Sequence, residues 1–172
     1  MPYVVEPTRR LPRWALPVAG ALVVFGVIGS IVAYKLMHEH EAFLKMRQQA
    51  LTLSANRKYD EGAKLAESYY NEAWLRDNKA ETADVLGIIY LSKHDNVKTK
   101  FWFEREISLS SSSNIVPIQG LMESARSTGD KASEIKYTNM AIELMKKNDK
   151  SPLSGGIIRS YQNRVAELKG SK

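Results

Sequence analysis

Few residues in this chain have types and spacings suited to metal or group-transfer chemistry. Cysteine is absent and histidine occurs three times, at His38, His40 and His94. A helical zinc site sets two histidines four positions apart, as in HExxH, so that both rings leave one face. His38-Glu39-His40 separates its rings by two positions on different faces, which reads as a pair of solvated side chains. A phosphate cradle needs a glycine-rich loop with a lysine; Ser154-Gly155-Gly156 lacks the lysine and reads as a turn leading into a helix. No serine stands in GxSxG, and Ser110–Ser113 reads as a linker. Asp95, Asp130 and the glutamates are spread as solvated charges, with no pair that periodicity alone brings together for acid–base work. No catalytic residue, cofactor or metal site is assigned, and the expected function is not enzymatic.

The elements that must carry any function begin with Trp14 to Tyr34, WALPVAGALVVFGVIGSIVAY. Ala15 to Tyr34 hold no charge, and as a helix the run covers roughly 30 Å, the thickness of a bilayer's hydrocarbon core. Arg9, Arg10 and Arg13 stand before it and Lys35 after it, with Trp14 and Tyr34 at interfacial depth. Its length exceeds the apolar region of a cleaved signal peptide, about 7–15 residues, and no small-x-small cleavage site is well placed. The expectation is a transmembrane helix over 14–36, preceded by an irregular N-terminal tail, 1–13, with Pro2, Pro7 and Pro12. The arginines place that tail in the cytoplasm under the positive-inside rule, and the remaining chain outside it, although Lys35, Lys45 and Arg47 weigh the other way.

Within the span, Gly26, Gly29, Ser30 and Ala33 fall on one helix face. Gly26 with Ser30 and Gly29 with Ala33 are small-xxx-small pairs of the kind that let membrane helices approach, so a homodimer through this helix stays open. After Tyr34 no glycine or proline occurs before Gly62. The helix is therefore free to run on to about Leu53, a break near His38 being the alternative.

The formal charge is +6; Arg9, Arg10, Arg13 and Glu6 account for +2, which leaves +4 for residues 35–172. Basic and acidic residues are interspersed there, so nucleic acid is not an expected partner. Enough chain remains for one domain with a core. Its apolar residues recur at helical spacing, with no strand pattern. Helices are expected over 58–75, from Asn78 or Lys79 to Ser92, about 97–109, about 115–127 with Ser113 or Asn114 as cap, and about 131–147. A last one carries Ile157, Ile158, Tyr161, Val165 and Leu168.

These helices return in pairs. Leu86 and Leu121, Asp95 and Asp130, Ile107 and Ile142, and Leu109 and Leu144 are each 35 residues apart. The pattern resembles the tetratricopeptide repeat, a helix–turn–helix unit of about 34 residues. Leu86, Gly87, Tyr90, Phe103 and Leu109 match it in one unit, and Leu121, Gly129-Asp130, Ala141, Ile142 and Leu144 in the next. A weaker unit has Tyr59 in its turn and Gly62 in the usual alanine place. Gly87 and Ala50 are expected where paired helices cross, with Tyr90 and Phe103 filling the space between helices. Thr99, Glu134 and Glu106 depart from the pattern at positions for small residues, and His94 replaces the turn glycine.

The resemblance implies an all-α chain: a transmembrane helix, then a tetratricopeptide-like domain over 37–169. Its units are about 43–75, 79–109 and 115–147, and residues 155–169 form a cap, with Arg159, Asn163 and Glu167 on its wet side. It also implies a concave binding face on the first helix of each pair, made of Arg47, Leu51, Asp84, Ile88, Leu91, Gln119, Glu123 and Arg126. The expected function is a membrane-anchored protein–protein interaction module that tethers or scaffolds a partner in an envelope, secretion or translocation assembly. The alternative is a structural single-pass subunit of a larger membrane complex.

Overall fold

In a computed structural model the described residues are 15–110, 114–148 and 152–170, without the side chains of 15–24, 152 and 153. They form seven helices and no strand: α1 (Ala15–Ala55), α2 (Tyr59–Glu72), α3 (Arg76–Ser92), α4 (Asn96–Leu109), α5 (Val116–Thr128), α6 (Lys131–Asn148) and α7 (Pro152–Gly170). The chain is all-α. The tail expected over 1–13, Trp14 and the serines 111–113 lie outside the described residues.

The chain divides into two compact units, 1–38 and 39–172. In the first, every described side chain is exposed, including Phe25, Val27, Ile28, Ile31 and Tyr34. Among the described residues no helix is long and apolar enough to cross a membrane. The span expected over 14–36 lies, for 14–24, on side chains outside the description.

In the second unit consecutive helices pack in order from α2 to α7, and α3 also touches α5. Two apolar clusters hold it. Phe43, Met46 and Ala50 of α1 join Ala63 and Ala66 of α2 and Val85, Leu86, Ile89 and Tyr90 of α3. Phe103 of α4 joins Ile118, Leu121 and Met122 of α5 and Tyr137 and Ala141 of α6. Burying each of the larger ones, such as Phe43, Leu86, Ile89 and Phe103, contributes about 1.5–3 kcal/mol. Small residues bring the backbones close. A Cβ on Gly62 would lie 2.8 Å from the carbonyl of Ala50, so α1 and α2 cross there.

Three reversals use one device. Arg57, His94 and Gly129 have φ of 62°, 61° and 70°. At each turn this residue's N–H bonds three positions back, to Ser54, Leu91 and Arg126, and the next N–H bonds five positions back, to Leu53, Tyr90 and Ala125. These paired bonds satisfy carbonyls that a helix end leaves open, and the left-handed residue makes them geometrically accessible. The residue after the turn starts the next helix: Asp95 accepts from Lys98 N at 3.1 Å and Asp130 from Ser133 N at 3.0 Å.

The last helix begins earlier than the sequence suggests. Pro152 lies in its first turn, where a missing N–H costs nothing, so Ser154-Gly155-Gly156, expected as a turn before the helix, lie inside it. Arg159, Asn163 and Glu167 are exposed.

Candidate functional site

Arg47 of α1 and Asp84 of α3 meet at one cleft. Asp77, Ala80 and Glu81 of α3, Glu106 of α4, and Ser110 and Asn114 from the connection to α5 complete its lining, around about 410 Å³. Glu106 is only 3 % exposed although it is a carboxylate. Its Oε1 accepts from Asn114 Nδ2 at 3.4 Å, a long bond. Oε2 of Glu106 and Oδ1 of Asp84 are both buried with no hydrogen-bond partner. Burial, then the charge of Asp84, pushes the Glu106 carboxyl up to about 7, against the bond from Asn114. Burial also pushes Asp84 up to about 6, with Arg47 opposing and Glu81 adding to the rise. Ion pairs among the described residues do not include Arg47.

A second buried carboxylate shows what satisfaction looks like in the same fold. Glu134, also 3 % exposed, accepts from Arg164 Nε of α7 at 2.9 Å and from Arg126 Nε at 3.3 Å. The Arg164 hydrogen bond is the main reason its carboxyl is held below the usual range. Two guanidiniums serve one buried carboxylate there; the Asp84–Glu106 pair has none within bonding reach.

The residues expected to form a binding face have varied positions. Arg47 and Asp84 come together at the cleft. Leu51 is half-buried against the first apolar cluster, and Ile88 and Leu91 are half-buried against the second. Gln119 donates to Tyr161 of α7 at 3.4 Å, and Arg126 pairs with Glu123 at 3.3 Å while also holding Glu134. Those polar groups of α5 therefore have intramolecular work. In the first unit a Cβ on Gly26 or Gly29 would meet nothing within 4 Å, and the Ser30 hydroxyl donates to the carbonyl of Gly26 at 2.8 Å. Ala33 is exposed.

Besides Arg47 and Asp84, Glu106 had a signal in the sequence, a charge where the repeat pattern has a small residue. Asp77, Glu81 and Asn114 had none. An apolar groove of about 590 Å³ shares Glu106, Ser110 and Asn114 with the cleft and continues along Ile107, Pro117, Ile118, Met140 and Leu144. Together they can receive a cation and an adjoining apolar group. Among the described residues no group of three His, Asp or Glu side chains is placed to hold a metal ion.

Set beside protein-family models, curated proteins and solved structures, this chain matches none.

Proposed function

We propose that the chain is a membrane-anchored interaction module of the tetratricopeptide-like kind. Residues 14–36 cross the bilayer, the tail lies in the cytoplasm, and the helical unit outside it docks a protein partner through the cleft beside Arg47 and Asp84. The reading assigns no catalytic step. The observation that carries it is the exposure of Phe25, Val27, Ile28, Ile31 and Tyr34 in a chain whose other unit buries its own two apolar clusters. Contiguous apolar side chains on several sides of a helix need an apolar surrounding, and lipid supplies it. The uncharged sequence from Ala15 to Val24 extends that stretch to spanning length.

Three measurements test this reading on the full chain in bacterial membranes. Alkaline carbonate extraction should leave it in the pellet, and protease outside intact spheroplasts should cut beyond Lys35. A photoreactive residue at Glu81, exposed on the cleft, should cross-link a defined protein. Release into the carbonate supernatant would remove the anchor, and protection of the helical unit would reverse its orientation. Absence of any adduct at Glu81 would leave a structural subunit as the better description.

A further inference from the structure

We propose that the cleft takes an arginine side chain of the docking polypeptide, with Glu106 and Asp84 as its acceptors and a neighbouring apolar residue seated in the adjoining groove. This deepens the interaction-module reading and rests on it.

An acidic cluster alone would be ordinary surface, because carboxylates in water are content. Glu106 is different. It is 97 % buried, its Oε2 has no partner, and it lines the cleft. A buried carboxylate oxygen without a donor costs free energy, through desolvation if the group is charged and through the proton it must hold if it is not. Asp84 lines the same cleft and holds a second buried oxygen without a partner. Two separate inward acceptors match the forked, planar donor set of a guanidinium better than the compact ammonium of lysine. Glu134 supplies the internal precedent, since arginines answer it and no lysine does.

The neighbourhood selects for a polypeptide over a free cation. The groove beyond Asn114 is walled by Ile107, Pro117, Ile118, Met140 and Leu144, so the occupant's apolar portion is bound next to its charge. Arg47 is exposed and stands at the cleft as its only basic lining residue. The chain's net charge of +6 means that a basic partner is not drawn by the whole surface. Recognition then depends on this local pair of carboxylates in their charged form.

The test uses the full chain in detergent micelles, labelled for amide NMR. The probe is the peptide acetyl-Leu-Arg-Leu-Leu-amide, with citrulline in place of arginine as a neutral isostere and lysine as a second comparison. The arginine peptide should give saturable shifts confined to Arg47 and residues 77–84, 106–110, 114–118 and 139–147. The citrulline peptide should bind at least about tenfold more weakly, and affinity for arginine should rise from pH 5.5 to pH 8. Glu106→Gln, which keeps the shape, and Asp84→Asn should each weaken arginine binding by about tenfold while the remaining spectrum stays folded. Equal binding of the citrulline peptide, unchanged affinity in both variants, tighter lysine binding, or shifts elsewhere would overturn the assignment. So would occupancy of the cleft by calcium with no response to the peptide. A Glu81 cross-link that persists in Glu106→Gln would sink the arginine assignment and leave the interaction module standing. Peptide binding without any cross-linked partner in membranes would do the reverse.

Discussion

Gly87 of α3 and Gly120 of α5 face opposite edges of one ring, that of Phe103. A Cβ built on Gly87 would lie 2.5 Å from Cδ1 of Phe103, and one on Gly120 would overlap Cε2 on the other edge. Both backbones approach the ring where only hydrogen fits, so α3, α4 and α5 are fastened at a single point.

Alanine at either glycine should therefore destabilise the fold. Helix propensity favours alanine by about 1 kcal/mol, but overpacking a rigid core costs about 1–3 kcal/mol. The steric effect wins because Phe103 is 1 % exposed and has nowhere to move. Chemical denaturation of Gly120→Ala, Phe103→Leu and the double variant should show coupling, the double losing less than the two singles together. Strict additivity would mean the ring and the glycine do not share the space.

His94 gives the opposite sign. Its φ of 61° is strained for a residue with a Cβ, by about 1–2 kcal/mol. Glycine removes that strain at some cost in chain entropy, so His94→Gly should raise stability by about 0.5–1 kcal/mol. Gly129→Ala, with φ 70°, should lower it by a similar amount. Thermal unfolding of both variants checks the pair, and a destabilised His94→Gly would count against strain at this turn.

Arg164→Ala should lower the thermal midpoint at neutral pH and matter less in acid. Glu134 is held below its ordinary carboxyl value, first by Arg164, so its stabilisation is present above the unfolded value of about 4.3 and is lost as pH falls through the folded one. The gap between wild-type and variant midpoints should therefore be wide at pH 7 and narrow at pH 3. An equal loss at both would point to packing of α7 and not to charge.

Asp84 and Glu106 work the other way. Their unfolded values are about 4, and the folded ones are about 6 and about 7. Between those limits the folded chain binds more protons, so this pair's contribution falls as pH rises and its penalty is complete above about 7. Arg47 on α1 and Asp77 and Glu81 on α3 are the other charges at the cleft. Glu106→Gln should raise the midpoint by about 2–4 °C at pH 8 and by little at pH 4.5. A gain independent of pH would assign the effect to packing.

Helical periodicity made most of the fold legible, because apolar residues at helical spacing state which face is buried. The expected 97–109 and 131–147 are observed as Asn96–Leu109 and Lys131–Asn148. Gly87 was legible because it lies at a position where paired helices must cross. Gly120 was not, since the ring that demands it comes from another helix. The cleft was half legible: Arg47 and Asp84 stood out by position, whereas Glu106 is 22 positions beyond Asp84 and only packing unites them. Glu39 was hidden for the same reason. Its Oε1 accepts from Trp74 N, Leu75 N and Asn78 Nδ2 at 2.9, 2.7 and 3.2 Å, more than thirty residues away along the chain.

The bond between Glu134 and the last helix has a consequence for biosynthesis. A chain released from the ribosomal tunnel only as far as Asn148 already carries α2 to α6, with Phe103 and both of its glycines. It still lacks the 19 residues of α7 and with them Arg164. Until those residues emerge, Glu134 relies on Arg126 alone and the outer side of α6 faces water. Arrival of α7 is thus read out as the pairing of one interior charge, Glu134 with Arg164.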